Sequence, residues 1–265
     1  MPIVVHAKIR RIPQSEFGRI AYELMGHVFD IHNQMGRFFD ESIYKQAVAT
    51  RTANGRAEVS IEVTFEDFRK EYFMDLVVND AAVFELKVVK KLSGRHRAQL
   101  LNYLLLTDLS HGKLINLGAE TVEHEFVNTS LTRNDRIGFT VDDSGFSDAS
   151  PNDRRLFEYL SAILRDWGTG LEISLYTMAA THFLGGEEVV TRDVDTFLDS
   201  QRIGRQKMQL VSPDTAFVIT QIAPEDDLSR FEDHCRRLLN HTALRHMQWI
   251  NVTLHQLTFR TITRC

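Results

Sequence analysis

The chain of 265 residues repeats its own pattern, and this repeat limits the possible folds more than any other feature of the sequence. One apolar helical face ends at Gly36 and a second ends at Gly168, at an offset of 132 residues. The two faces consist of Leu24, Met25, Val28, Ile31 and Met35, and of Leu156, Phe157, Leu160, Ile163 and Trp167. The same offset maps Ser42–Tyr44 onto Ser174–Tyr176. A self-match at a fixed spacing indicates duplicated structural units.

Two later stretches repeat in the same order. "LVVNDAAVFELK" (76–87) matches "LVSPDTAFVITQ" (210–221) at an offset of 134 without a gap, and "HRAQLLNY" (96–103) matches "HCRRLLNH" (234–241) at an offset of 138. Amphipathic helices and strands also resemble one another by composition alone, but three matches in order favour a tandem duplication. We expect domains at 1–145 and 150–265, separated by the polar segment "DDSGFSDASPND" (142–153) with its breakers Gly145 and Pro151.

The composition is typical of a folded globular protein, and the net charge of −5 means that any nucleic-acid-binding surface must be local. The N-terminus lacks the apolar core of a signal peptide, and no run of about 18 apolar residues occurs. We therefore expect neither secretion nor a membrane span. Cys235 and Cys265 provide neither a disulfide framework nor metal-ligand spacing, and they fit a reducing cytoplasm.

The stretch "MDLVVNDAAVFELKV" (74–88) reads as a buried hairpin that carries three charges. Asn79-Asp80 predicts a turn between two strands. A turn centred on residue 80 sets Asp75 opposite Glu85, with their Cβ atoms about 4.5–5.5 Å apart. Alternation along the strand then puts Lys87 on the face of Glu85, and the apolar residues between them on the other face.

Two carboxylates this close repel each other unless a cation lies between them, and a hard divalent ion, Mg²⁺ or Mn²⁺, is the natural candidate. Such an ion polarises a phosphoryl oxygen and acidifies a bound water. Lys87 would orient or deprotonate that water, or neutralise charge on the phosphorus. A solvated hairpin face with an ordinary Lys–Glu pair is the alternative. The gap-free repeat alignment replaces the three charges with Gln209, Ile219 and Gln221, so the hairpin does not require them.

Further candidates lie on two predicted helices. Gln99 and Tyr103 are four residues apart in "RAQLLNYLLL" (97–106), on one helix face near the strand of Lys87; the repeat has Arg237 and His241 there. Glu41 and Tyr44 are three residues apart on a separate helix that follows Gly36. Both pairs also fit ordinary residues at the edge of a solvated face.

A basic cluster follows the hairpin and contains no acidic residue. It consists of Lys90, Lys91, Arg95, His96 and Arg97. Such a patch beside the carboxylates fits contacts with a phosphate backbone, and a solvated loop is equally compatible with it.

The order of these motifs resembles the PD-(D/E)xK nuclease superfamily. More narrowly, "GRFFDESIYKQA", "MDLVVNDAAVFELKVVKKL" and "HRAQLLNYLLLT" resemble the bacterial GxxExxY family, over roughly residues 15–128. The resemblance implies an α/β (α+β) fold with a restriction-endonuclease-like core, in which helices flank a central mixed β-sheet. The repeat implies that this core is duplicated in tandem.

The resemblance also implies roles for particular residues. In the superfamily, the Asp and Glu of the hairpin and the Glu of the first helix bind the catalytic metal, the Lys assists the attacking water, and the Gln and Tyr line the site. The corresponding residues here are Asp75, Glu85, Glu41, Lys87, Gln99 and Tyr103, and His96 also matches a family position.

Two positions depart from the pattern. Phe38 replaces the first glycine of GxxExxY, where it is expected to alter the approach of Glu41, and Met74 replaces the proline.

The sequence thus predicts a Mg²⁺- or Mn²⁺-dependent nuclease that hydrolyses nucleic-acid phosphodiester bonds, DNA being favoured over RNA. Its first domain carries the intact motif, and its second is a degenerate pseudo-nuclease copy. A catalytically inactive nucleic-acid-binding or assembly protein with the same fold is the alternative. A third interpretation is that the second copy mimics a partner subunit, in an intramolecular pseudo-dimer whose halves pack through a large interface.

Overall fold

The computed structural model describes residues 2–223 and 226–264, so Cys265 lies outside it. The chain divides into two compact units, Met1–Arg133 and Asn134–Cys265. The division falls before the polar segment 142–153 rather than within it. Residues 140–145 belong to the second unit because they form a strand that pairs with its last strand. No helix in the described part of the chain is long and apolar enough to cross a membrane.

The first unit is a six-stranded mixed sheet with helices. Its elements are β1 (Ile3–Val5), α1 (Gln14–Met35), α2 (Glu41–Arg51), β2 (Gly55–Phe65), β3 (Phe68–Val78), β4 (Ala82–Lys87), α3 (Gly94–Thr107), β5 (His111–Asn116) and β6 (Glu123–Asn128). The strands lie in the order β1-β2-β3-β4-β5-β6, and every pair is antiparallel except β4–β5. The parallel pair requires a crossover, which α3 provides.

The two faces of this sheet differ in chemistry. Helix α1 buries residues at positions 17, 20, 24, 28 and 31, the spacing of one helical stripe. This stripe packs with Leu76, Phe84 and Leu86 in a single core cluster. Helix α3 covers the other face, where Leu100 lies so close to Gly112 that an added Cβ would meet it at 3.0 Å. The odd-numbered residues of β4, Glu85 among them, face this side because side chains alternate along a strand.

The second unit begins within a short helix, α4 (Arg133–Ile137). Its elements are β7 (Thr140–Gly145), α5 (Pro151–Trp167), α6 (Ile173–Phe183), α7 (Glu187–Val190), β8 (Thr191–Leu198), β9 (Gln201–Ser212), β10 (Thr215–Thr220), α8 (Leu228–Asn240), β11 (His246–Val252) and β12 (Gln256–Thr263). The strands lie in the order β7-β12-β11-β10-β9-β8. Strands β8 to β12 pair with the same directions as β2 to β6, and β10–β11 is the parallel pair that corresponds to β4–β5.

One local structure occurs at the same place in both units. Helix α1 ends at Gly36 (φ 71°) and α5 ends at Gly168 (φ 84°), in the left-handed region that favours glycine. The fully buried Tyr44 donates its hydroxyl to the Gly36 carbonyl at 2.5 Å, and the fully buried Tyr176 donates to the Gly168 carbonyl at 2.6 Å. Both pairs are separated by eight residues, so the offset of 132 is structural as well as sequential in this region.

The Tyr176→Phe substitution is expected to destabilise the second unit by about 1–3 kcal/mol. It leaves the buried Gly168 carbonyl and the Leu171 N–H, which also bonds the Tyr176 hydroxyl at 3.2 Å, without their partner. Trp167 and Trp249, the two tryptophans of the sequence, both lie in this unit, so urea unfolding followed by tryptophan fluorescence reports on it. Tyr159→Phe is the control, since the half-exposed Tyr159 keeps its ring stacked on Phe183. Equal midpoints for the two variants would contradict the assignment.

Candidate metal and nuclease site

The hairpin ladder between β3 and β4 stops just before the two carboxylates. The paired positions are Leu76↔Phe84, Val77↔Val83 and Val78↔Ala82, so the hairpin is centred on residue 80, as the sequence indicated. One position further, the Leu86 N–H donates to Asp75 Oδ2 at 2.8 Å, so a side chain replaces the backbone acceptor of the ladder. Asp75 and Glu85 are thereby held where the two strands stop pairing.

Glu85 is the most deeply buried charged residue of the hairpin. It has no exposed surface, and Asp75 is 5% exposed. Glu85 Oε1 accepts from Lys87 Nζ at 2.5 Å, whereas Oε2 is buried without a hydrogen-bond partner among residues 2–223 and 226–264. Burial and the nearby charge of Asp75 raise the pKa of Glu85 to about 7, although Lys87 and Lys45 oppose the change. An unpaired buried carboxylate oxygen is costly, so this atom calls for a proton or a cation.

Lys45, which sequence reasoning missed, lies within the same carboxylate cluster. Its Nζ is 2.5 Å from Asp75 Oδ1, 3.1 Å from Glu41 Oε1 and 3.8 Å from Glu58 Oε1. Burial lowers the pKa of Lys45, but hydrogen bonds and charge attraction from Asp75 and Glu41 outweigh it and raise the pKa above its ordinary value. The spacing of four between Glu41 and Lys45 on one helix was the available signal.

The remaining carboxylates approach from α2 and β2. Glu41 Oε2 accepts from the Val88 N–H at 3.3 Å, at the end of β4, so α2 does bring this residue to the hairpin. Glu58 has φ 52° within β2 and faces the Asp75 position, between the pairs Ala57↔Leu76 and Val59↔Met74. Glu58 is exposed. Its irregular backbone locates it at the same break in the sheet.

Tyr44 and Phe38 have different places from those the pattern indicated. Tyr44 does not share an exposed face with Glu41; it is fully buried and holds the end of α1. Phe38, which replaces a glycine of the motif that the sequence resembles, is 90% exposed, with the Arg37 guanidinium 5.3 Å from its ring centroid. The Phe38 ring is directed to solvent, and Glu41 reaches the backbone of Val88, just after β4.

Gln99 and Tyr103 lie on α3, the helix that covers the sheet face carrying Glu85. Gln99 Nε2 donates to the Tyr103 hydroxyl at 2.9 Å, and the Tyr103 ring lies 6.2 Å from that of Tyr72 on β3. Tyr103 is buried and Gln99 is half-buried. The two side chains thus form one hydrogen-bonded pair on the helix that covers the hairpin face of Glu85.

Two residues of the basic cluster already have hydrogen-bond partners within the protein, so fewer side chains are free to contact phosphate than the sequence suggested. Arg97 forms a bidentate pair with Glu125, both N–O distances being 2.8 Å, and His96 Nδ1 accepts from the Ser93 N–H as part of the α3 capping box. Lys90, Lys91 and Arg95 are exposed. Of the five, these three are the residues that are exposed and have no such side-chain pairing.

A buried asparagine fixes the segment after β4, and a second one fixes the segment after β10. Asn116 exchanges two hydrogen bonds with the Val89 backbone, and Asn251 exchanges two with the Ile222 backbone. Asn116 pairs with Lys87, and Asn251 pairs with Thr220. By these pairings, Val218 and Thr220 occupy the places in β10 that Glu85 and Lys87 occupy in β4, one residue before the Ile219 and Gln221 of the gap-free alignment. The turns explain the difference, because Val78 pairs with Ala82 across three residues, whereas Ser212 pairs with Thr215 across two.

The donors around the hairpin suit a small oxygen-binding cation, but they do not form a ready-made cage. Within residues 2–223 and 226–264, no three His, Cys, Asp or Glu side chains are arranged to hold a metal ion. The fit therefore rests on two carboxylates, Asp75 and Glu85, and on the unpartnered Glu85 Oε2. Such hard oxygen donors are those that Mg²⁺ and Mn²⁺ prefer.

Comparison with known proteins gives one informative match. Residues 18–129 match the family described as the PD-(D/E)XK nuclease superfamily, and this range is most of the first unit. No curated protein matches the chain. A solved structure entitled "Crystal structure of SSO0001" is 20% identical, with a TM-score of 0.27, and the match covers 46% of this chain and 61% of that one. A similarity of that size supports no conclusion on fold or function. The family match makes nuclease-like chemistry the expectation for the first unit.

The raised pKa of Glu85 predicts a pH-dependent stability in metal-free buffer. The folded pKa of about 7 exceeds the ordinary 4.5, so the stabilisation of the protonated form is complete below about pH 4.5 and is lost as the pH rises through 7. From pH 5 to pH 8, the wild type should therefore lose more free energy of unfolding than Glu85→Gln, which cannot titrate. Urea unfolding followed by circular dichroism measures this difference. Parallel pH profiles for the two proteins would show that Glu85 has an ordinary pKa.

Proposed function

We propose that the first unit is a divalent-metal-dependent nuclease that hydrolyses phosphodiester bonds, with DNA favoured over RNA and Mg²⁺ or Mn²⁺ as cofactor. The observation that carries the proposal is the buried Asp75–Glu85–Lys87 group, in which one Glu85 oxygen has no partner among the described residues. The superfamily match over residues 18–129 supports it, because the match contains all three residues.

In this proposal, Asp75 and Glu85 hold the metal, which when bound polarises the phosphoryl oxygen and lowers the pKa of a water. The main chain of β4 fixes Asp75, since the Leu86 N–H binds its Oδ2. Lys87 is held against Glu85 Oε1 and is 9% exposed, so its ammonium is positioned at the edge of the site. There it orients the attacking water or balances charge on the phosphorus. Gln99 and Tyr103 form the wall on α3.

We infer further that the second unit is a degenerate copy of the same core, a pseudo-nuclease. The shared order of strands β8–β12 and β2–β6 supports this inference, as do the matching Gly36–Tyr44 and Gly168–Tyr176 hydrogen bonds. By strand pairing and the offset of 132, its equivalents of Asp75, Glu85, Lys87 and Glu41 are Met208, Val218, Thr220 and Ile173. None of these four can supply a carboxylate or an ammonium, so we assign no metal to this unit.

A catalytically inactive nucleic-acid-binding or assembly protein is the second candidate. One observation favours it: Lys45 already contacts Asp75 and Glu41, so the carboxylates are partly neutralised by the chain itself. In that case the retained charges would stabilise the fold, and phosphate contacts would come from Lys90, Lys91 and Arg95.

Substitutions at the hairpin are expected to abolish cleavage. Asp75→Asn, Glu85→Gln and Lys87→Ala should each lower the rate by roughly 100-fold or more, since each removes a group that acts on the metal or the water. The assay uses plasmid, linear and single-stranded DNA, and RNA, each with Mg²⁺ or Mn²⁺.

The second unit offers matched controls for this assay. Gln209→Ala, next to the equivalent of Asp75, and Thr220→Ala, at the equivalent of Lys87, should leave the rate unchanged. If the wild type and Lys87→Ala degrade every substrate equally, the assigned site is wrong.

Metal binding separates the enzyme from the inactive alternative. At a Mg²⁺ concentration of ten times the dissociation constant, the wild type should gain about 1.4 kcal/mol of stability. Asp75→Asn and Glu85→Gln should gain nothing, because each removes a proposed ligand. Thermal unfolding with and without Mg²⁺ measures the difference, and an equal Mg²⁺ effect in all three proteins would place the ion elsewhere.

A further inference from the structure

The Lys45 ammonium lies among three carboxylates beside the hairpin. It contacts Asp75 Oδ1 at 2.5 Å and Glu41 Oε1 at 3.1 Å, with Glu58 Oε1 at 3.8 Å. Its side chain is 20% exposed and that of Asp75 is 5% exposed, so the contact between them is largely shielded from solvent. Attraction between opposite charges is stronger in such a setting than at an open surface.

All but one of the carboxylate oxygens of Asp75, Glu85 and Glu41 have a partner within the protein, and the remaining one is open to a diffusible cation. Asp75 Oδ1 binds Lys45, Asp75 Oδ2 binds the Leu86 N–H, and Glu85 Oε1 binds Lys87. Glu41 divides its oxygens between Lys45 and the Val88 N–H. Glu85 Oε2, fully buried and unpartnered within the described residues, marks the remaining position.

The second unit supplies an internal comparison. The offset of 132 that relates Gly36 to Gly168 and Tyr44 to Tyr176 maps Glu41 onto Ile173 and Lys45 onto Thr177. Thr177 bonds the Ile173 carbonyl within α6, at 2.9 Å. The lysine is therefore absent from the unit that lacks the carboxylates, although the same helix is present. Lys45 and the acidic group occur together, as expected if the lysine serves the site and not the helix.

We propose that Lys45 acts as a tethered second cation, so that the site binds one divalent ion, at Asp75 and Glu85, and Glu41 serves the ammonium rather than a metal. This inference rests on the proposed function and specifies its metal requirement. Removal of the ammonium would leave Asp75, Glu41 and Glu58 as three acidic groups without their common cation. A second divalent ion would then bind there once the three side chains, which are not arranged as a metal site while Lys45 lies between them, move in to coordinate it, because like charges that close require compensation.

The test is calorimetric titration of the full chain with MnCl₂ in metal-free buffer. The wild type should bind one ion, and Glu85→Gln should bind none. Lys45→Met keeps the length of the stem without the charge and should bind two ions, the first roughly ten-fold more tightly than the wild type does. The second ion should disappear in Lys45→Met/Glu41→Gln. Lys207→Met, at an exposed lysine of β9, should behave as the wild type.

The electron paramagnetic resonance spectrum of the bound Mn²⁺ provides a readout independent of activity. Lys45→Met should show two spin-coupled ions, and the wild type an isolated one. Two ions in the wild type, or one ion of unchanged affinity in Lys45→Met, would overturn the proposal. Binding of no ion by either protein would instead remove the metal site itself, and the proposed function with it.

A second variant, Lys45→Arg, tests the role of the charge even if Lys45→Met folds poorly. Lys45→Arg retains the charge and should bind a single ion with near wild-type affinity. Two ions in Lys45→Arg would equally overturn the role of the charge.

Discussion

The first unit is organised around the burial of one carboxylate, that of Glu85. A charged group with no exposed surface requires hydrogen-bond or ionic partners. In Glu85, Lys87 binds one oxygen, and the other oxygen has no partner among the described residues. The elevated pKa of Glu85 expresses the same imbalance. Desolvation of this kind is tolerated where a bound cation or proton compensates it, and perturbed carboxylates cluster at functional sites for that reason.

The fold explains how such a group is held in place. The parallel step from β4 to β5 forces a crossover through α3, which covers the face that carries Glu85. The opposite face packs against α1 and α2, and the Tyr44–Gly36 hydrogen bond fixes the turn from which Glu41 and Lys45 approach. The break in the β3–β4 ladder at Asp75 then provides room between strands that would otherwise be fully paired.

Much of this arrangement could be predicted from the sequence, because turn chemistry and alternation are local. Asn79-Asp80 set the hairpin register and thereby the juxtaposition of Asp75 and Glu85. Strand pairing places Val218 and Thr220, instead of Ile219 and Gln221, at the positions of Glu85 and Lys87. The turn of the second unit is one residue shorter, and an apolar pattern does not record turn length. Lys45 was missed because its contact with Asp75 depends on where α2 packs. Arg97 was counted as free to contact phosphate because its partner, Glu125, lies two strands further along the chain. The grouping of residues 140–145 with the second unit depends equally on a long-range pair, that of β7 with β12.

The most direct test of the central claim, that the burial of Glu85 serves to hold a metal, is a crystal structure of the full chain with Mn²⁺, analysed by anomalous diffraction. The account predicts an anomalous peak bonded to Glu85 Oε2 and to Asp75, at the Mn–O distances of a carboxylate site. Saturating Mn²⁺ with no peak there, and Glu85 Oε2 bonded to protein or water instead, would contradict it.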